Sequence, residues 1–238
     1  MQPATHKLLR SRLALDYQVA SRLRAPALKS VKAFASAEHV LRRREVTPEE
    51  GERGLATVYL VEYDFRMLAG PGEYVDGALV RFDLLARGGF PRTEPSVQVV
   101  SQPLPWSPHV AQPAGVFCIG EIWSSSKGHM LLGALIIHTM RVLNCDEKDR
   151  GGGYVGYTPA AIRYWREVLK CRPVNADLEY PLLPPDAAYG IEDPNSAFVP
   201  IGGGFEALGV GGPGNDGGFM CLTPQAAERG FTPIGGSR

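Results

Sequence analysis

Cysteine is scarce in this chain, and none of it is arranged for a metal or a dithiol. The four cysteines stand at 118, 145, 171 and 221, with no Cys-x-x-Cys pair. That spacing excludes the usual zinc and thiol-redox signatures. Four cysteines in 238 residues also exclude a small secreted disulfide scaffold. No resident metal and no cofactor is expected. Long apolar runs are missing too. The longest, at 130–137, is far short of the roughly 20 residues that a membrane-spanning helix needs. Residues 1–25 hold no continuous apolar stretch that would read as a signal peptide. The expectation is a reducing, cytoplasmic setting with no membrane partner. Net charge is absent as well, with 25 basic residues against 25 acidic ones, which argues against a nucleic-acid binder working through a generally basic surface.

The charge that exists is unevenly placed. Residues 1–44 carry ten Lys and Arg side chains, from Lys7 to Arg44, against only Asp16 and Glu38. Such a surface can steer an acidic partner, or it can be a solvated helix face. Glycine and proline are also uneven and gather toward the C-terminus. The composition divides the chain into one packed domain over 1–172 and a Pro/Gly-rich, largely irregular extension over 173–238. No internal repeat is visible.

Periodicity supplies the element order. Leu9, Leu13 and Tyr17 recur at helical spacing, so 6–24 reads as a helix. Residues 28–44, rich in Ala, Lys and Arg, read as a second helix. The period then becomes two. In 57–66, Thr57, Tyr59, Val61, Tyr63 and Phe65 share one face, the signature of a half-buried strand. Val80, Phe82 and Leu84 oppose Arg81 and Asp83 in a second strand, and 96–101 makes a short third one, so an antiparallel meander is expected. Residues 102–128 show no clear period and read as a long loop, a length that is usually functional. Residues 129–144 are apolar on most sides and read as a buried helix. A last helix starts at Thr158 as N-cap, with Pro159 in its first position. Strands grouped before helices give an α+β domain.

The long loop holds the chemistry-bearing residues. It contains Ser107-Pro-His-Val110 and, further on, Gly115-Val-Phe-Cys-Ile119, with Trp123 behind them. Upstream stand Phe90-Pro91 and Glu94-Pro95 with Val97. Taken in order, these segments resemble the ubiquitin-conjugating enzymes. That family shows a Tyr-Pro…Pro-Pro element, a His-Pro-Asn segment, a Gly-x-Ile-Cys-Leu active site, a Trp and a buried helix. The resemblance covers about residues 6–170 and marks the chain as a divergent, prokaryotic-type member. It departs at His109, where the family usually has Asn. The interval to Cys118 is one residue longer than usual, and Trp123 sits closer to the cysteine.

The resemblance implies a ubiquitin-conjugating-like fold. Cys118 would receive a ubiquitin-like modifier as a thioester from an activating enzyme and pass it to a lysine of a substrate protein. The thiolate is the nucleophile in such chemistry. His109 is the candidate oxyanion donor or loop scaffold. Asp146 or Asp149 is the candidate carboxylate for the amine proton. The basic helix 6–24 would dock the activating enzyme. Cys145 reads as core, His129 and His138 as core histidines on the buried helix, and Trp123 as a packing anchor under the loop. Two other functions compete with this one. A non-catalytic binding module of the same fold would bind modifiers without carrying them. A metal or thiol hydrolase using His109, Cys118 and His129 matches no usual ligand spacing.

Overall fold

The structure is a computed structural model, and it describes residues 3–126, 128–146 and 156–184. Helix α1 (Pro3–Arg22) comes first, followed by strand β1 (Leu28–Phe34) and two short helices, α2 (Ala37–Leu41) and α3 (Pro48–Glu52). Strands β2 (Val58–Gly70), β3 (Glu73–Asp83) and β4 (Ser96–Val99) complete the meander. A small hairpin, β5 (Val110–Ala111) and β6 (Val116–Phe117), leads into α4 (Gly120–Ser125). The chain then enters α5 (Leu132–Leu143) and α6 (Pro159–Glu167). The six strands form one open antiparallel sheet in the order β1-β2-β3-β4-β6-β5. The domain is therefore α+β.

The alternation in β2 does what period two requires. Tyr59, Val61, Tyr63 and Phe65 are buried on one face, while Asp64 and Arg66 are exposed on the other. Ala78, Val80, Phe82 and Leu84 extend the same inner face into β3 and just past it. Helix α5 lies in this core, with ten of its twelve residues buried, so it forms the centre of the fold and not a surface element. The Tyr63 hydroxyl donates to the Ile136 carbonyl at 2.9 Å and ties sheet to helix. Leu135, Ile136 and Met140 are fully buried, and truncating any one to Ala is worth about 2–5 kcal/mol.

Helix α1 is fastened to the start of α5 by a buried ion pair. Arg12 Nε donates to Asp16 Oδ2 at 2.9 Å, and the Arg12 guanidinium also donates to the carbonyls of Gly128 and Met130. The other Asp16 oxygen accepts from the backbone N–H of Leu132 at 2.8 Å. Leu131, at the N-cap position of α5, offers no side-chain cap, so Asp16 serves as that cap from a distant part of the chain. Its carboxyl is held above the ordinary aspartate value because burial outweighs the opposing pull of Arg12.

Three sequence readings are corrected. Residues 28–44 are not one helix. The first half is β1, with Leu28, Ala33 and Phe34 buried and its backbone paired along β2. Helix propensity in Ala, Lys and Arg is weak and yields to that pairing. Residues 102–128 are not a bare loop, because they hold the β5–β6 hairpin and α4. His129 lies outside α5 and is exposed, while His138 is on α5 and half-buried.

Beyond α6, residues 173–184 form no helix or strand, yet they pack on the domain. Leu178, Tyr180 and Leu183 lie against the core. Asn144, buried at the end of α5, bonds Asn175 and the Tyr180 hydroxyl. Among the described residues no helix is long and apolar enough to cross a membrane.

Candidate functional site

Cys118 immediately follows β6 and is half-exposed. The hairpin decides what stands beside it. Val110 pairs with Phe117 and Ala111 with Val116. The Cys118 N–H donates to the His109 carbonyl at 2.9 Å, and Pro108 and His109 form a turn that the Val110 N–H closes on the Ser107 carbonyl at 3.2 Å. Val110 and Phe117 are buried, while His109 and Cys118 are both half-exposed. The two residues are joined through their backbones by that bond, and the His109 Nδ1 is buried. The bond to His109 also commits the Cys118 N–H to the hairpin, so that amide is not the oxyanion donor.

The hairpin is held from several sides. Its turn, Gln112-Pro-Ala-Gly115, is tied down when Gln112 Nε2 donates to the Pro105 carbonyl at 2.9 Å and Gln98 Nε2 to the Ala114 carbonyl at 2.8 Å. Gly115 has φ +70°, and a Cβ there would lie 2.7 Å from the Val99 carbonyl oxygen. Only glycine meets both conditions without strain. Beneath the cysteine, Ile119 is buried and begins α4. Trp123 is buried, its indole N–H donates to the Pro91 carbonyl at 3.0 Å, and its ring packs on Phe90 at 5.8 Å. Trp123 is thus the packing anchor that the sequence suggests.

A third length of chain closes the other edge of β5. The Thr158 N–H donates to the Pro108 carbonyl at 3.2 Å, and the Thr158 hydroxyl donates to the Val110 carbonyl at 2.9 Å. This corrects the expected N-cap. Thr158 occupies that position of α6, but its side chain does not cap the helix.

Asp146 is placed by the end of α5. The Asp146 N–H bonds the Arg141 carbonyl and the Cys145 N–H bonds the Val142 carbonyl, with Cys145 in the left-handed region at φ 56°. This is the Schellman way of ending a helix. The Asp146 carboxylate accepts from the Tyr180 hydroxyl at 2.7 Å, and the Arg141 guanidinium lies over the Tyr180 ring at 4.9 Å. Burial pushes the Tyr180 hydroxyl well above the usual tyrosine range, and its bond to Asp146 adds to this against the opposing pull of Asn144. The structure thus pairs His109 with Cys118 but gives Asp146 a different partner, Tyr180. Asp149 lies outside the described residues. Cys145 is buried with Leu68 and Trp165, as core. Cys171 is exposed, and Cys221 lies outside the described residues.

The basic N-terminal surface is narrower than its composition suggests. Lys29 pairs with Glu62, Lys32 with Glu45, Arg42 with Glu38 and Arg44 with Glu50. Lys7 and Arg10 line a groove between α1 and α3, together with His6 and Arg53. Among the described residues, Glu52 is the only carboxylate lining it. Among the described residues, too, no cluster of His, Cys, Asp and Glu is gathered as for a metal ion. Comparison of the chain with protein-family models, with curated proteins and with solved structures finds no match.

Proposed function

We propose that this chain is a ubiquitin-conjugating-like enzyme, with a ubiquitin-like protein carried as a thioester on Cys118. The observation that carries the reading is the half-exposed Cys118 at the end of the β5–β6 hairpin, its N–H bonded to the His109 carbonyl. The element order supports it: an N-terminal helix, a meander, a cysteine-bearing hairpin, a buried helix and a further helix. A half-exposed thiol favours catalysis over a binding module that merely retains the fold.

In the first step the Cys118 thiolate attacks the carbonyl carbon of the thioester on the activating enzyme. A new S–C bond forms, the old one breaks, and the activating enzyme's sulfur leaves as thiolate. Exchange between two thioesters is close to energy-neutral, so Cys118 needs access more than activation. In the second step a lysine amine of the substrate protein attacks the same carbonyl. The C–N bond forms, the Cys118 thiolate leaves, and the amine proton passes to a carboxylate. Asp146 is the described candidate for that acceptor. The negative charge that develops on the carbonyl oxygen needs a donor, and such a donor typically lowers the barrier by about 2.7–4 kcal/mol. His109, whose carbonyl holds the Cys118 N–H, is the candidate for that donor.

The groove of Lys7, Arg10 and Arg53 is the proposed docking surface for the activating enzyme. Reversing these three charges to Glu should slow charging by that enzyme while leaving acylation by a small thioester unchanged. Equal rates of enzymatic charging in the variant and the parent would remove the docking surface from the account.

A further inference from the structure

We infer that Thr158 is a positioning residue for the His109–Cys118 pair, acting through the backbone of β5. The inference rests on the proposed conjugating activity and extends it to a residue outside the hairpin.

Three consecutive carbonyls around His109 are each taken by a donor. Pro108 O accepts from the Thr158 N–H at 3.2 Å, His109 O from the Cys118 N–H at 2.9 Å, and Val110 O from the Thr158 hydroxyl at 2.9 Å. Cys118 therefore holds residue 109 itself, and Thr158 holds the residues on both sides of it. The approach is close: a Cβ at Gly156 would lie 2.3 Å from the Pro108 carbonyl oxygen, so only a bare backbone fits. The strands of the hairpin are two residues each, too short to hold an imidazole in register by themselves. Thr158 acts as a splint across the turn at 107–110, holding it through both its N–H and its hydroxyl.

The choice of residue carries the argument. Threonine at an N-cap normally gives its oxygen to the helix. Here the hydroxyl is directed at β5, and α6 has no side-chain cap. Helix stability is forgone for the geometry of the hairpin. The β5 backbone then aims His109, and a misplacement of about 1 Å at such a group can slow a reaction about 100-fold.

The test uses the full chain, acylated at Cys118 with an acetyl-Gly-Gly mercaptoethanesulfonate thioester and followed by intact mass as free L-lysine discharges it. Thr158→Val keeps the branched shape and removes the donor. It should slow discharge by about 10- to 100-fold, whereas Thr158→Ser should discharge at the parent rate. In a His109→Ala background, Thr158→Val should have no further effect. Discharge at the parent rate in Thr158→Val, or the same fold-loss with and without His109, overturns the inference. Amide exchange reads the splint without any acylation. The Cys118 N–H should exchange at least about tenfold faster in Thr158→Val than in Thr158→Ser, through loss of local protection. Equal exchange would overturn the splint even if no thioester formed. Failure of the parent chain to be acylated would instead count against the conjugating activity itself.

Discussion

Replacing Arg12 with alanine removes the cation that faces Asp16 inside the α1–α5 junction. Asp16 is fully buried and Arg12 is 14% exposed, so solvent cannot take over the pairing. The carboxylate would keep only the Leu132 N–H, and the carbonyls of Gly128 and Met130 would lose their donor. The guanidinium also lies over the Phe90 ring at 5.3 Å, and the same substitution removes that cation–π attraction. Breaking a buried pair by deleting one partner costs about 3–5 kcal/mol. Asp16→Ala should cost less, about 2 kcal/mol at most, as for the loss of a helix cap, because Arg12 retains two carbonyl acceptors. Urea unfolding with linear extrapolation measures both. The double variant should fall short of the sum of the singles by about 0.5–3 kcal/mol, the range for residues in one network. An Arg12→Ala chain within about 1 kcal/mol of the parent, or strict additivity in the double variant, would show that the junction is held by apolar packing alone.

Asp16 also sets a pH dependence whose sign follows from its raised folded-state value. The native state binds its proton more tightly than the unfolded chain does. The Asp16 contribution is therefore fully present below the unfolded value of about 3.9 and is lost as pH rises through the folded value. Across that window the stability of the parent should fall relative to Asp16→Asn, and parallel curves for the two proteins would contradict it. Gly115→Ala should destabilise by about 1–3 kcal/mol, given φ +70° and the 2.7 Å approach of the Val99 carbonyl. Unfolding at the parent's urea midpoint would refute that strain. Tyr180→Phe removes a hydrogen bond to a carboxylate and should cost about 1.5–3 kcal/mol. A neutral effect would mean that residues 173–184 are held by Leu178 and Leu183 instead.

Much of the scaffold is legible in the sequence because its signals are local. The two-residue period of 57–66 names the buried face of β2, and the continuous apolar character of 129–144 marks α5 as central. Strand β1 reads as helix because Ala, Lys and Arg favour helix in isolation, while its strand identity comes from pairing with Val58–Tyr63 of β2. The β5–β6 hairpin escapes because strands of two residues carry no readable period. Cys118 and His109 are legible only through resemblance. Their juxtaposition depends on the turn that Gly115 permits. Asp146 stands out from its place after the helix, but nothing local points to Tyr180 as its partner. Thr158 reads as a cap because the acceptor it uses, Val110 O, is 48 residues away.

Acylation of Cys118 tests the central claim most directly. The folded chain is incubated with a small Gly-Gly thioester near neutral pH, and the adduct is mapped by peptide mass spectrometry. The account predicts one acyl group on Cys118, released by added thiol and transferred to free lysine, and no adduct in Cys118→Ala. A chain that stays unmodified at Cys118 while exposed Cys171 reacts would contradict it.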